Sequence, residues 1–397
     1  MPASARRPEL SSMADDYASF ALSQRAALEA AHPDVLAAAG EFKDEPVLYV
    51  ADLGAADGVN SYGLIRELIA ERAGRPLVYA LVDLPTNAWN VAAEHLQRGL
   101  LGAEPAMSIA LIPDAGDVSA ADVGTGAHYA SAETHAEACH RALAGQSSPA
   151  VVLSMAGIAL EVSPCLPAGT VHVAVSGTAM HWVADVAGLP STGSVFPGYR
   201  DHADELERRA WQSAAAEQWE RLLEHRSTVL VPGGRFIIAL PASSAPWPEG
   251  ISLYTAVIAQ MNDLLSEWTR VGRISAETAA AIVVPVWMRT LEEIRAPFER
   301  GGGRFADLVL EKLELVRLDN PYWDPDPARF ARAYVNSIAA WGGPLFLRAF
   351  SREGQDEGTA LLADFMDELQ QRVITDPESY RWDYLEAVIV CRKVNPA

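Results

Sequence analysis

The sequence has few cysteines, few positive charges and no long uninterrupted apolar segment. Its three cysteines, Cys139, Cys165 and Cys391, are widely spaced and form no CxxC pair. This pattern disfavours a disulfide scaffold and a cysteine zinc site, and it predicts a reducing, cytoplasmic location. No apolar run reaches the roughly 18 residues that cross a bilayer, so we predict no transmembrane span. The first residues carry charge without an apolar stretch behind them, so we also predict no signal peptide.

Positive charge is scarce, because 31 Lys and Arg residues face 52 Asp and Glu residues, which gives a net charge of −21. Nucleic-acid binding needs basic surface that displaces counterions, and anionic lipid attracts basic segments. Neither partner is therefore expected. Half of the 397 residues are hydrophobic and 21% are charged, which is a globular composition that excludes a disordered chain and a coiled coil. The length suits one large domain or two of ordinary size.

Short apolar runs alternate with segments of helical periodicity. We predict strands at 46–53, 77–84, 108–113, 150–155, 171–176, 235–240, 308–318 and 385–392, and helices at 13–40, 60–73 and 87–99. This alternation indicates a parallel α/β sheet. Helical segments follow one another between residues 247 and 303, which indicates an inserted helical cap. The last strand ends the chain, so we place it at an edge of the sheet.

The first two predicted strands each end in an acidic residue. Asp52 precedes a glycine-containing turn, LGAADG at residues 53–58, and Asp83 ends the second strand. Such a turn lets a ligand approach the backbone and opens a helix whose N–H groups face an anionic group. A carboxylate at the second strand end can accept hydrogen bonds from both hydroxyls of a ribose. Because the turn lacks GxGxxG, it favours a cationic, methionine-derived nucleoside over a pyrophosphate.

These segments resemble the SABATH methyltransferases, and the resemblance extends from Asp16 to near the C-terminus. Residues 51–60, ADLGAADGVN, are similar to the family's ADLGxxxGxN, and residues 83–90, DLPTNAWN, to its DLPxNDFN. Residues 17–24 resemble its YAxxSxxQ, residues 178–182 its substrate-site segment ending in Trp, and residues 231–236 its VPGGRM. SABATH enzymes use S-adenosyl-L-methionine and mostly methylate small carboxylic acids. We predict a bacterial-type member of this family.

The resemblance implies a class I methyltransferase (Rossmann-like) fold, with a mostly parallel seven-stranded sheet between helices and an α-helical cap. We divide the chain into four parts: an N-terminal leader and cap helix (1–40), an S-adenosylmethionine-binding core (41–245), a helical cap insertion (246–303), and the remainder of the core with the C-terminal strands and a pocket-lining helix (304–397). The resemblance also implies a homodimer.

Site residues follow from the same resemblance. The cofactor-binding residues are Tyr17, Asp52, Gly54, Asn60, Asp83 and Leu84. Asp52 and Asn60 would contact the methionine portion of the cofactor. Asp83 would hold the ribose, with Leu84 beside the adenine. Gln24 and Trp182 would grip the substrate carboxylate, and the segments that would line the acyl pocket contain Met180, His181, Tyr254 and Trp341.

The chemistry of carboxyl methylation suits this set. Methyl transfer from a sulfonium is an in-line displacement that needs the nucleophile about 3–3.5 Å from the methyl carbon. A carboxylic acid has a pKa of about 4 and arrives ionised, so no general base is required. A glutamine amide and an indole N–H fix one carboxylate oxygen and leave the other free to react. The predicted reaction is methyl ester formation on a small, largely apolar carboxylic acid.

Other functions stay open at this stage. Glu161 lies in the segment that aligns with the family's GSFY; it either points to solvent or, like His181, serves as a base for methylating carbon, nitrogen or a phenol of a natural product. Val284 stands where the family has an Asn, in a region that supports a metal in some members, so a magnesium requirement is open. A nicotinamide-dependent oxidoreductase and a non-catalytic ligand-binding protein are the remaining classes.

Overall fold

A computed structural model describes residues 20–84, 87, 92, 94–96, 108–112, 150–157, 166–184, 186, 188–191, 195, 205–245, 253–301 and 303–394. The predicted leader at 1–12 lies outside this part of the chain, as does most of the predicted helix at 87–99.

The centre of the molecule is one twisted sheet with nine strands in the described residues. They are β1 (Leu48–Leu53), β2 (Leu77–Asp83), β3 (Ser108–Ile112), β4 (Ala150–Gly157), β5 (Val171–Gly177), β6 (Leu230–Ser243), β7 (Arg289–Thr290), β8 (Leu308–Leu318) and β9 (Tyr384–Lys393). The main path runs β3-β4-β2-β1-β5-β6-β9-β8, and the short β7 pairs with β6. Neighbours from β3 to β6 are parallel, whereas β9 runs antiparallel to both β6 and β8.

Two features of the sheet differ from the sequence prediction. The main path has eight strands in the described residues rather than seven, because β3 adds a parallel strand beside β4. The last strand, β9, lies inside the sheet, and β8 forms the edge. The burial of the two strands explains this order, since β9 is buried over most of its length while β8 exposes Glu311, Glu314 and Arg317 at regular intervals. Charged side chains on an edge strand oppose pairing with another chain.

Eight helices of the described residues surround the sheet. They are α1 (Leu22–Glu41), α2 (Tyr62–Arg72), α3 (Glu205–Val229), α4 (Leu253–Arg270), α5 (Ala276–Ala281), α6 (Leu291–Glu299), α7 (Pro327–Phe350) and α8 (Gln355–Thr375). On one face of the sheet, α1 and α2 pack over the strands, and α3 and α6 cover the opposite face. None of the described helices is long and apolar enough to cross a membrane.

Helix α1 crosses the sheet closely because its buried face is made of small side chains. Ala27 and Ala31 are fully buried, and Leu28 lies against Gly177, where an added Cβ would be 3.3 Å from the Leu28 Cβ. The helix contacts β5 and β6 most extensively. Its N-terminal end therefore lies at the carboxyl ends of the parallel strands, where ligands bind in open α/β sheets.

A separate apolar cluster, which we call the cap cluster, joins α4, α5, α7 and α8. Its centre is aromatic: Trp268, Phe346, Phe350 and Phe365 pack with ring centroids 5.1–6.1 Å apart. Pairs at such distances contribute beyond area burial alone. Helices α7 and α8 follow the predicted insertion at 246–303, so the cap cluster draws on the C-terminal part of the chain as well. The four-part division of the chain stays a prediction.

Candidate active site

The turn after β1 is fastened to the end of β2 by backbone hydrogen bonds. The Gly54 N–H donates to the Val82 carbonyl at 2.7 Å, and the Ala56 N–H donates to the Asp83 carboxylate at 2.6 Å. The Asn87 side chain donates to the Ala56 carbonyl at 2.6 Å. Three residues of the turn have positive φ, namely Gly54, Ala56 and Gly58. The turn thus exposes backbone at the carboxyl edge of the sheet, close to both acidic strand ends.

Asp83 links the two strand ends through its two carboxylate oxygens. Oδ2 accepts from the Ala56 N–H, and Oδ1 accepts from the Leu84 N–H at 2.7 Å. A carboxylate has about four acceptor positions, so these two bonds leave acceptor capacity on each oxygen. Burial raises the pKa of Asp83, while its two backbone hydrogen bonds oppose the rise. The side chain can therefore still accept from two adjacent hydroxyls.

Asp52 faces the interior rather than the open turn. It is 2% exposed, and its Oδ2 accepts from Tyr79 Oη at 2.9 Å and from Ser61 Oγ. Burial raises its pKa to about 6, with a smaller contribution from the negative charge of Asp83. Ser61 immediately precedes α2, so Asp52 fixes the start of that helix to the end of β1. The geometry favours positioning of the turn over the direct ligand contact predicted for Asp52.

Asn60 connects the turn to α1. It lies in a short 3-10 segment, Val59–Ser61, and its Oδ1 accepts from Arg25 Nε at 3.2 Å. Asn60, Gly54 and Leu84 are all half-buried, so each is accessible from the same edge of the sheet. The structure thus brings four of the predicted cofactor residues, Gly54, Asn60, Asp83 and Leu84, to one edge of the sheet.

The close packing of this turn makes Gly58→Ala a sharp test. Gly58 and Gly74 both have positive φ, +73° and +89°, so alanine meets similar backbone strain at each. A Cβ on Gly58 would lie 2.6 Å from Leu81 Cδ2, whereas nothing lies within 4 Å at Gly74. We expect Gly58→Ala to cost about 2–3 kcal/mol and Gly74→Ala about 1 kcal/mol. Urea denaturation measures both, and equal losses would contradict the packing at Gly58.

The N-terminal end of α1 forms the side of the site that faces the cap cluster. Tyr322 Oη donates to the Phe20 carbonyl at 2.8 Å and accepts from the Ser23 N–H at 3.3 Å. Ser23 Oγ donates to Gln24 Oε1 at 2.9 Å, so the Nε2 donors of this half-buried amide point away from Ser23. The sequence motifs predict Gln24 as a site residue, whereas they carry no signal for Tyr322.

Trp341 of α7 lies beside these groups. It packs in a small apolar cluster with Phe20, Ala21, Ala56 and Ala340. Ala56 belongs to the turn after β1, and Phe20 and Ala21 precede α1, so this cluster joins three distant parts of the chain. Trp341 therefore lies between the turn and the N-terminal end of α1, at the border of the cap cluster. Because Trp341 is only partly buried, it can offer an apolar wall to a small ligand.

The segment after β5 begins with a strained residue. Thr178 has φ +53°, which is uncommon for a β-branched side chain and costs on the order of 1–3 kcal/mol. Its N–H donates to the Ala239 carbonyl at 2.7 Å, which holds the conformation. The chain changes direction here, and the next residues are Met180, His181 and Trp182.

Two of these three residues do not fit their predicted roles. Met180 is 1% exposed and packs in the apolar cluster under α3, so it does not line the site. His181 is 6% exposed, and burial together with the nearby positive charge of Arg289 lowers its pKa to about 3. A group with that pKa is too weak a base for proton abstraction near neutral pH. Trp182 is half-buried and packs against the cap cluster.

Two buried side chains, one from β7 and one from α3, hold this segment in place. Arg289, 1% exposed, donates to the Met180 carbonyl at 2.9 Å and to the Ala215 carbonyl at 2.7 Å. Gln218 of α3 donates to the Trp182 carbonyl and accepts from the Ala184 N–H. These residues hold the backbone around Trp182, and the sequence motifs identified neither of them.

Several predicted groups lie outside the described residues: Tyr17, Glu161 and the side chain of Tyr254. Val284 is fully buried, and its N–H donates to the Val195 carbonyl. Within the described ranges, no group of three or more His, Cys, Asp or Glu side chains could hold a metal ion.

Strand order, the reversed β9 and the glycine turn at the end of β1 define a class I methyltransferase fold. Among solved structures, that of loganic acid methyltransferase with SAH matches with a TM-score of 0.68 and 14% identity, over 98% of this chain and 99% of that one. This likeness confirms the predicted fold class.

Two relatives are similar in sequence. Gibberellic acid methyltransferase 2 of Arabidopsis thaliana is 27% identical over 208 residues, which cover 44% of this chain and 48% of that protein. The O-methyltransferase acrG of Aspergillus aculeatus is 23% identical over 227 residues, which cover 52% of this chain and 59% of that protein. The matched segments thus span about half the length of each relative. No protein-family model matches the chain. The resemblance to SABATH-type carboxyl methyltransferases is confirmed, while the bacterial type stays a prediction.

Proposed function

We propose that this protein is an S-adenosylmethionine-dependent O-methyltransferase that forms the methyl ester of a small, largely apolar carboxylic acid. The observation that carries the proposal is Asp83, which is held by N–H groups from both strand-end turns and still has acceptor capacity for a ribose. The two methyltransferase relatives and the shared class I fold support the same cofactor.

The residues at the sheet edge fit S-adenosylmethionine chemically. Asp83 accepts from the ribose hydroxyls, and the half-buried Leu84 beside it offers an apolar contact for the adenine. Asp52 keeps the turn and the start of α2 in register through Ser61 and Tyr79. When bound, the cofactor supplies an electrophilic methyl group on a sulfonium, which neighbouring carboxylates stabilise electrostatically.

The acceptor side of the site suits a carboxylate. Gln24 presents amide donors because its Oε1 already accepts from Ser23. Trp182 adds an indole N–H and, with Trp341, apolar surface. Neutral donors orient a carboxylate oxygen without the ion pair that would quench its nucleophilicity. Trp182 and Trp341, which are half-buried and pack against the cap cluster, support a largely apolar acid.

The most direct test incubates the purified protein with methyl-labelled S-adenosylmethionine and pooled carboxylic acids. We expect a labelled product that mild base hydrolyses, as an ester does. Because no base is required, the rate should vary less than about twofold between about pH 6.5 and pH 8.5. A product stable to base, or no transfer to any acid, would contradict ester formation.

The alternative is methylation of carbon, nitrogen or a phenol of a natural product with a protein base. The low pKa of His181 argues against that residue, so the alternative depends on Glu161. Under it, Glu161→Gln loses activity by orders of magnitude, and the rate falls as pH drops through the pKa of the base. Ester formation predicts neither effect, so the variant and the pH profile separate the two reactions.

A further inference from the structure

We propose that Tyr322 is a positioning residue for the methyl acceptor, because it acts through Ser23 to orient the side-chain amide of Gln24. This inference rests on the proposed function, which places Gln24 on the substrate carboxylate, and adds to it a residue from the loop between β8 and α7. Tyr322 is 299 positions from Ser23 in the sequence, and none of the sequence motifs contains it.

Helix α1 begins without a side-chain cap of its own. The residue before its first turn is Ala21, which has no side-chain oxygen and stands at the serine position of the motif YAxxSxxQ. Serine is among the preferred residues at the start of a helix, whereas alanine is disfavoured there. Tyr322 Oη supplies the missing partner, because it accepts from the Ser23 N–H at 3.3 Å and donates to the Phe20 carbonyl at 2.8 Å. A side chain from the C-terminal part of the chain thus fixes the first turn of α1.

The link from Tyr322 to Gln24 runs through the Ser23 hydroxyl. Ser23 Oγ lies 3.2 Å from Tyr322 Oη and 2.9 Å from Gln24 Oε1. The serine hydroxyl has one proton, and Tyr322 Oη already accepts from the Ser23 N–H, so the serine proton goes to the nearer Gln24 oxygen. The Nε2 donors of Gln24 are consequently directed away from Ser23.

Both hydroxyls of this link are buried, and the loop that carries the tyrosine is itself held by hydrogen bonds. Tyr322 is 3% exposed and Ser23 is 2% exposed, whereas Gln24 is half-buried. The Tyr322 N–H donates to Asn320 Oδ1 at 3.0 Å, and the Trp323 N–H donates to the Asn320 carbonyl at 3.2 Å. Hydrogen bonds are electrostatically stronger in a buried, low-dielectric environment than in water. The link therefore connects a fixed loop to an amide at the border of the candidate site.

The orientation of the Gln24 amide determines whether it attracts or repels a carboxylate. An amide has two N–H donors on one side and an acceptor oxygen on the other. A rotated amide would present its oxygen to the negatively charged substrate. Without the Tyr322 hydroxyl, the Ser23 hydroxyl can turn and accept from Nε2 instead, so both amide orientations become accessible.

Steady-state kinetics of Tyr322→Phe test the inference, with the acid that gives most labelled ester in the pooled assay as acceptor. The variant keeps the ring and removes only the hydroxyl. We expect kcat/KM for the acid to fall by about tenfold, mainly through a higher KM, because the carboxylate loses a well-oriented donor. Affinity for S-adenosylhomocysteine, measured by isothermal titration calorimetry, should change by less than about twofold.

Tyr334→Phe is the matched control for the loss of a buried tyrosine hydroxyl. Tyr334 is 1% exposed on α7, and its hydroxyl has no hydrogen-bond partner among the described residues. Both the kinetic constants for the acid and the affinity for S-adenosylhomocysteine should stay unchanged in this variant.

Two further variants separate orientation of Gln24 from support of the helix. Ser23→Ala keeps the backbone hydrogen bonds of Tyr322 and removes the link to Gln24, so it should reproduce the rise in KM. In a Gln24→Ala background, Tyr322→Phe should lower kcat/KM by less than about twofold further, since its effect runs through Gln24.

Three results would overturn the inference and leave the proposed methylation intact. They are an unchanged KM in Tyr322→Phe, an effect that adds in full to that of Gln24→Ala, and an equal loss of affinity for S-adenosylhomocysteine. If the native chain binds S-adenosylhomocysteine but methylates none of the pooled acids, the proposed function fails, and the inference fails with it.

Discussion

Replacing Asp83 with asparagine weakens binding of S-adenosylhomocysteine by about 100-fold. In the native chain, each carboxylate oxygen accepts one backbone N–H and keeps acceptor capacity for a ribose hydroxyl. The amide puts an NH₂ group against one of those N–H donors and removes the charge that strengthens the hydroxyl contacts. Charge-assisted hydrogen bonds contribute about 1.5–3 kcal/mol each, so loss of one or two accounts for the factor.

The pH dependence of binding provides a second readout for Asp83. Because burial raises its pKa, affinity should fall as pH drops through that pKa and the carboxylate gains a proton. The asparagine variant should lack this step. Calorimetry over a pH series measures both, with the exposed Asp44→Asn as a control for one negative charge. If Asp83→Asn binds as tightly as the native chain, the ribose assignment fails.

Replacing Glu386 with leucine stabilises the protein by about 2–3 kcal/mol at pH 8. Glu386 is fully buried on β9, and neither carboxyl oxygen has a hydrogen-bond partner within the described part of the chain. It pairs in register with Pro241 of β6 and Val316 of β8. It lies on the same face as Val388 and Val390, which pack under α1. A buried polar group without partners costs about 1–3 kcal/mol, and a charged one costs more.

The stabilisation by Glu386→Leu should depend on pH, and the direction of that dependence follows from the pKa of Glu386. Burial raises the pKa of Glu386 well above its ordinary value of 4.5, so the folded state retains a proton that the unfolded state loses. Stability therefore declines as pH rises from about 4.5 toward the raised pKa, and Glu386→Leu removes that decline. Urea denaturation across pH tests this, and a leucine variant that is less stable at every pH would contradict it.

Glu311 provides the opposite control on the neighbouring strand. Despite some burial, its pKa is lowered by hydrogen bonds from Arg392 and Arg235. Its folded-state pKa lies below the unfolded value, so it contributes stability above pH 4.5 that is lost as pH falls through the lowered pKa. Glu311→Gln should therefore destabilise the protein at neutral pH while Glu386→Leu stabilises it.

The sequence predicted the parallel half of the sheet well. Strands β1, β2 and β5 are short, continuously apolar and bounded by turns, which is typical of strands buried on both faces. The order of β8 and β9 could not be predicted, because both are plausible edge strands by length and neither has a parallel crossover that limits its neighbours. The two strands are distinguished only in the folded sheet, where β9 is buried over most of its length and β8 exposes charged side chains.

The proximity of the candidate site residues was predicted where these residues belong to local motifs. Asp83 and Ala56 are 27 positions apart, within one βαβ unit, and the motif spacing indicated their proximity. The pairs that complete the site are distant: Tyr322 and Ser23 are separated by 299 positions, and Arg289 and Met180 by 109. Periodicity carries no signal for such pairs. The positive φ of Thr178 also redirects the following side chains, so the inward orientation of Met180 and His181 was not predictable.

The hydrogen bonds between Tyr322 and the residues at the start of α1 have a consequence for the order of folding. Contacts within residues 48–87 can form as soon as that stretch leaves the ribosome, whereas the end of α1 that carries Gln24 gains its anchor only after the C-terminal third has been made. Non-local contacts of this kind form late, since the loop that they close is long. The proposed nucleoside site thus depends on local contacts that form early in the growing chain, whereas the proposed methyl-acceptor site depends on a contact that forms late.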